Sequence, residues 1–463
     1  MAVVAIAEAL RGRTAKFRET MSSSKSTLRK ASLFYFVFVM FSYTTGGPFG
    51  LEVQVPHSGP GMTLLFHLLI PFFWCIPVSL VAAELTTAMP VEGGFYRWTR
   101  AAFGDLPGFL AGWWNWSASF LLGGSYAVLF TDYLANYYFP QITGFWHWLV
   151  SFVLIAVIAW LNIRGIQMVG KAATAFEFFI FIPVVAMVVL GLSRWHHNPF
   201  VPFTPPGQPL SQSFGVGLAI AVWLYSGYEQ LSTVAEEVEN PQRTYPRALA
   251  LVVPLSIATY FLPTLAALAS VDSWQQWKDG YFSTAAQLLG GPWLGTLMTV
   301  AAMVGNLALL NSTVLTTTRM PFALAEDGYL PPFLTRKHPR YGTPWVAILI
   351  SAAVYAGLAL HTLSQLISIY VWLRAGTTLM TVFSAWQLRR KRPDLPRAFR
   401  IPAGRLGLAY VVVPPVLMTY IVLRNSEPIA KQWGPWALVF GVIVYGVTKW
   451  LGKRAARNAA PAV

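Results

Sequence analysis

Twelve runs of apolar residues, each close to the roughly 20 residues a helix needs to cross a bilayer, account for most of this 463-residue chain. They fall near 31–56, 62–88, 107–135, 145–163, 172–192, 213–237, 247–271, 291–319, 344–361, 364–388, 407–424 and 434–452. Charged residues make up only 11% of the chain, against about 25% in soluble domains. A soluble globule of this length would lack polar surface, and a disordered chain would not carry such apolar runs. The pattern predicts an all-α polytopic membrane protein with 12 transmembrane helices. Proline and glycine inside several runs (Gly46, Gly47, Pro48, Pro71, Pro77, Pro183, Gly227) are tolerated where neighbouring helices satisfy the freed backbone groups.

The formal net charge of +15 first suggests nucleic acid as a partner, but its distribution does not. With both termini cytoplasmic, the inside segments hold 28 Lys and Arg and the outside loops four, Arg194, Lys278, Arg424 and Lys431. Arg374 alone lies inside a run rather than at its end. That asymmetry is the positive-inside signature, so the basic excess encodes orientation in a cell membrane, and nucleic acid drops out. The single Cys75 and seven histidines without ligand spacing predict no metal site and no cofactor. No cluster with catalytic spacing lies in the runs, which argues against an enzyme. A channel would require a continuous polar pore, and the runs offer isolated charges instead. The opening MAVVAIAEAL has its charges after the apolar stretch and is too short for a cleaved signal.

Two runs are interrupted. The first reads FSYTTGGPFGLEVQV and the sixth AVWLYSGYEQLSTVAEEV. Each places glycine in mid-run, hydroxyl residues before it and a glutamate after it, Glu52 and Glu229. Close packing of a membrane helix explains a glycine pair but explains poorly a mid-run Gly-Gly-Pro, because Pro48 removes a backbone donor and clashes with the preceding turn. The breaks lie five runs apart, so the second copy enters the membrane inverted. Such paired broken helices form substrate sites in secondary transporters. Their free N–H and C=O ends can hold the carboxylate and ammonium of a zwitterion without buried side-chain charge.

GGPFGLE, the glycine–aromatic–glutamate of run six and EEVENPQRTYPRAL resemble the amino acid–polyamine–organocation superfamily of transporters. AELTTAMPVEGGFYRW, LNIRGIQMVG, DGYFSTAAQLLGGPWLG, LAEDGYLPPFLTRKHPRYGTP and RPDLPRAFRIPAG are similar to its branch of plant-type polyamine-uptake carriers and L-type amino-acid permeases. The likeness runs from about residue 40 to 415. It implies a LeuT-type fold: a cytosolic tail at 1–30, a five-helix repeat at 31–192, an inverted one at 213–388, a cytosolic loop and two further helices at 389–452, and a cytosolic tail at 453–463. It also implies uptake or exchange by alternating access, coupled to protons. The substrate-binding set it implies is Tyr43, Thr44, Thr45, Gly46 and Gly47 from the first break, Trp223, Leu224, Tyr225, Ser226 and Gly227 from the second, and Tyr370 and Arg374.

The chain departs from the polyamine carriers where those show acids, having Leu122 in run three and Tyr370 in run ten. A polycation needs paired acids in its pocket; this chain keeps Glu229 and adds Arg374. The balance favours an amino acid, zwitterionic or cationic, with polyamine uptake and amino-acid/amine exchange as the alternatives. Glu229 is the first candidate for proton coupling, against a structural role on backbone donors. Arg374 either meets a substrate carboxylate or neutralises a glutamate. Glu52, Glu177, Asn306, Asn311 and Ser312 are candidate gate or ion-site groups. Glu84 is read as gate or loop anchor, and Glu236, Glu237, Glu239, Arg243 and Arg247 with Arg97 and Arg100 as either an inner gate or a solvated loop.

Overall fold

The computed structural model describes residues 33–89, 94–165, 170–228, 240–271 and 273–459. Helices supply the regular structure, and there is no strand among the described residues. In chain order they are α1 (Leu33–Thr44), α2 (Gln54–Ser58), α3 (Pro60–Ile70), α4 (Ile76–Ala88), α5 (Gly94–Phe103), α6 (Asp105–Tyr137), α7 (Gly144–Ile163), α8 (Gly170–Ser193), α9 (Leu210–Leu224), α10 (Pro241–Ser270), α11 (Tyr281–Gly290), α12 (Pro292–Thr317), α13 (Arg319–Glu326), α14 (Trp345–Leu358), α15 (Leu363–Lys391), α16 (Gly404–Asn425) and α17 (Pro428–Ala459).

Six stretches among the described residues are long and apolar enough to cross a membrane: Pro60–Ala88, Gly144–Ile163, Arg243–Ser270, Pro292–Glu326, Leu363–Lys391 and Gly404–Asn425. Three shorter apolar helices are Phe178–Ser193, Leu210–Leu224 and Trp345–Leu358, and for the two interrupted runs the reason is local. Run one stops as a helix at Thr44 and resumes only at Gln54, with Gly47 at φ +94° and Gly50 at φ +85° between. The helix of run six stops at Leu224, and Gly227 follows at φ +111°. Glycine adopts these left-handed conformations without the Cβ penalty other residues carry. Pro60, Pro241 and Pro292 instead open α3, α10 and α12 at their first positions, where the missing N–H has no intrahelical partner to lose. Pro71 begins a π-helical turn, Pro71–Cys75, that joins α3 to α4.

Packing sets the breaks against the rest of the bundle. α6 lies along both α15 and α12, and α9 contacts α2 and α15. Gln54 Nε2 donates to Gly217 O at 2.8 Å and Ser58 Oγ to Ser213 O at 2.6 Å, fastening α2 to α9. α12 meets the first break through glycine: a Cβ on Gly305 would lie 2.3 Å from Gly46 O. Gly305→Ala is therefore expected to cost about 1–3 kcal/mol through overpacking, read as a lower thermal midpoint in detergent. Gly446→Ala, where a Cβ meets nothing within 4 Å, serves as the control and should not fall. A Gly305→Ala midpoint equal to that of the control would contradict the close approach.

Candidate functional site

The ends of the two interrupted helices converge on one cavity. It is lined by Thr44, Gly46, Gly47 and Phe49 from the first break and by Trp223, Leu224, Ser226 and Gly227 from the second. α6 contributes Asn115, Ser119, Leu122 and Tyr126, and α10 contributes Tyr260. α12 adds Asn306, Leu309, Ser312, Thr313 and Thr317, and α15 adds Tyr370 and Arg374.

The chemistry of the lining is bipolar. α1 and α9 both present C-terminal ends, where carbonyls without intrahelical partners carry partial negative charge. The Tyr260 hydroxyl lies between them, 3.4 Å from Thr44 O and 3.3 Å from Leu224 O. A donor thus already occupies the place where the two helix ends invite positive charge. Arg374, which also lines the cavity and is 3% exposed, donates from Nη1 to Asn115 Oδ1 at 3.5 Å. A guanidinium presents a planar fork suited to a carboxylate. Leu122 and Tyr370 line the same space as uncharged side chains.

Around this lining the second break is held by its neighbours. Ser226 Oγ donates to Val222 O at 2.6 Å and accepts from Trp74 Nε1 at 3.0 Å, which ties the break to the π turn. π turns recur at functional sites because they re-aim side chains out of helical register. The Tyr225 hydroxyl donates to His67 O at 2.8 Å, so Tyr225 braces the break against α3 and is not among the cavity-lining residues. Thr45 is likewise outside the lining: its hydroxyl bonds Phe41 O at 2.7 Å, closing the last turn of α1.

Of the remaining sequence candidates, Asn306 and Ser312 line the cavity. Asn311 accepts from Asn162 Nδ2 at 2.8 Å and joins α12 to α7 instead. Glu52 is fully buried beneath the first break, accepting from Gly50 N at 2.8 Å and from the Tyr133 hydroxyl. Glu229, Glu236, Glu237 and Glu239 lie outside the described residues, as do the side chains of Tyr43 and Glu177.

Charge pairs link distant segments at the end of the bundle that carries the basic loops. Arg97 and Arg100 reach Asp327 at 3.3 and 3.5 Å, and Arg100 also reaches Asp105 at 2.8 Å. The sequence reading set these arginines against the glutamates after run six and did not single out Asp105 or Asp327. The Tyr96 hydroxyl also bonds Asp327; burial and the Asp327 carboxylate push that phenol well above its ordinary range. Glu84, 1% exposed, accepts from Arg389 Nε at 2.8 Å and Nη2 at 2.5 Å and from Ile401 N at 2.8 Å, with Arg397 Nε at 3.2 Å. Of the two roles considered for Glu84, these bonds fit an anchor for the loop after α15.

A bundle of apolar helices, with a polar cavity at the meeting point of two interrupted ones, defines an integral membrane protein of the permease class. Residues 32–447 match the family model for amino acid permeases, and the chain belongs to that family, which is a transporter family within the amino acid–polyamine–organocation superfamily. Among its relatives, a polyamine transporter of Oryza sativa subsp. japonica is 31% identical over 93% of this chain and 80% of its own length. A probable polyamine transporter of Arabidopsis thaliana is 30% identical over 87% of this chain and 82% of its own. A branched-chain amino acid permease of Bacillus subtilis is 25% identical over 84% and 85%.

Proposed function

We propose that the chain is a secondary transporter that takes up an amino acid by alternating access, in symport with protons, on a twelve-helix LeuT-type fold with both termini cytoplasmic. The observation that carries this reading is the bipolar cavity. Two helix C-terminal ends suit an ammonium group, and the buried guanidinium of Arg374 suits a carboxylate. A polyamine has no carboxylate, and a buried cation needs acids to pair with, whereas this lining has Leu122 and Tyr370 at the relevant positions. In this reading the carboxylate end of the substrate is received by the Gly46–Gly47 break and Arg374, and its amine by carbonyls near Thr44 and Leu224. Trp223 and Tyr126, with ring centroids 6.3 Å apart, form the aromatic wall beside it. Glu229 is the sequence-based candidate for the coupled proton. Polyamine uptake is the second reading, favoured by the names of the plant relatives.

The two are separated by reconstituting the full chain in liposomes and measuring uptake of labelled amino acids and labelled putrescine, with and without an inward proton gradient. At least one amino acid is expected to exceed putrescine by about tenfold or more, a difference of about 1.4 kcal/mol. Its accumulation is expected to depend on the gradient. Uptake of putrescine alone, with no competition from any amino acid, would sink the substrate assignment, and gradient-independent exchange would sink the coupling.

A further inference from the structure

At the end of the bundle opposite the basic loops, acids gather with few cations bonded to them. Glu52 is 0% exposed at the first break. Its carboxylate accepts from the Tyr133 hydroxyl of α6 and from Gly50 N. Asp279 lies in the segment between α10 and α11 that packs on this stretch of α6: a Cβ on the adjoining Gly280 would stand 3.5 Å from Tyr133 Cα and 3.7 Å from Asp132 O, and Asp279 feels the charges of Asp132 and Glu52. Asp279 Oδ1 is buried and bonds no described residue. The nearby basic side chains bond atoms other than the Asp279 carboxyl: His147 Nε2 contacts Asp132 Oδ1 at 2.9 Å, and Lys278 Nζ donates to Asn136 Oδ1 at 2.9 Å. Asn136 in turn donates to the backbone oxygen of Asp279 at 2.8 Å. Two further phenols, Tyr281 and Tyr137, stand on the adjoining helices and bring no positive charge.

Neighbouring buried carboxylates cannot all ionise without a large electrostatic cost, so they titrate as a set. A buried carboxylate oxygen without a donor is more cheaply held as the acid than as the anion. We propose that Glu52 and Asp279 hold one proton between them while the first break is packed against α6, and that this outer acid pair is the station at which the coupled proton enters. Within the pair Asp279, whose Oδ1 has no donor, is the stronger holder of the proton, and Tyr133 donates to Glu52. The inference rests on the proton-driven reading above and places the first protonation at these residues rather than at Glu229.

The sign of the pH dependence follows. Burial first, then the charges of Asp132 and Glu52, raise the Asp279 carboxyl well above its ordinary range. The packed arrangement therefore binds more protons than one in which the break has moved away and the carboxyl regains its usual affinity. Acid favours the packed state, and that advantage is lost as pH rises through the raised value.

The test uses the full chain in two measurements. Difference infrared spectroscopy without substrate is expected to show a protonated-carboxyl C=O stretch that disappears as pH rises and is missing in Asp279→Asn. Tyr133→Phe, which removes the donor to Glu52, should shift the pH at which the band disappears, and it serves if Asp279→Asn does not fold. In liposomes carrying labelled amino acids, Asp279→Asn should retain counterflow while gradient-driven accumulation falls about tenfold, the equivalent of about 1.4 kcal/mol of lost coupling. A band unchanged in Asp279→Asn and in Tyr133→Phe, or full gradient-driven accumulation by Asp279→Asn, overturns the proposal. A wild type without gradient-driven accumulation overturns the proton-driven reading instead, and the infrared measurement then decides by itself whether the pair holds a proton.

Discussion

Glu84→Ala is expected to cost about 3–5 kcal/mol, the loss typical when one partner is removed from a buried ion pair. In detergent the variant should unfold at a much lower temperature or fail to elute as a single species. The reason lies in what the substitution leaves behind. Arg389 and Arg397 are 10% and 9% exposed and converge on a carboxylate that is 1% exposed. Without Glu84 two guanidinium groups stay buried beside each other, and Ile401 N loses its acceptor. Glu84→Gln keeps the shape and one acceptor but removes the charge, so it should fall between the two. A Glu84→Ala midpoint equal to the wild type would mean that the loop after α15 is held by its other contacts, such as Thr87 Oγ1 accepting from Phe399 N at 3.2 Å.

Arg374→Ala is expected to lower uptake of a carboxylate-bearing substrate about 100-fold, a loss within the 2–5 kcal/mol range for truncating one partner of a buried charge pair. The loss should appear mainly in KM, because the contact would form in the bound state before any helix moves. Arg374→Lys retains the charge without the planar fork and should recover only part of the activity. Leu122→Asp combined with Tyr370→Glu, both on the cavity wall, should shift preference toward a diamine by supplying paired acids. Unchanged amino-acid uptake in Arg374→Ala would remove this residue from recognition and return it to a packing role beside Asn115.

The break in run one and the early end of the helix in run six were legible because their cause is local. A Gly-Gly-Pro in mid-run, or a Ser-Gly with a glutamate two residues on, interrupts a helix whatever surrounds it. The wall between the breaks was not legible in the same way. Asn115, Ser119 and Tyr126 sit on an otherwise ordinary apolar helix, and only the packing of α6 against α12 and α15 selects the face that meets the cavity. Tyr260 escaped notice for the same reason, being one aromatic among many in a chain with 19 tyrosines. Conversely Tyr225 was drawn into the binding set by its place in the motif, whereas its hydroxyl points to the backbone of α3. The charge pairs show the limit of sequence spacing most plainly. Glu84 and Arg389 stand 305 positions apart, and neither the period of a helix nor the length of a loop connects them. The distribution of Lys and Arg did group Arg97 and Arg100 with the basic loops, and their described pairs join that segment to Asp327 and Asp105.

The phenol of Tyr260, poised between Thr44 O and Leu224 O, stands where any group that binds both helix ends must go. An arriving molecule gains only the difference between its contacts and those it displaces, so a ligand without a good donor has nothing to offer in exchange. Discrimination then begins before any side-chain pocket is consulted. The same phenol gives the unloaded protein a way to keep its two helix ends joined. Under the uptake reading proposed above, a carrier whose helix ends stay joined without substrate is expected to return across the membrane without cargo.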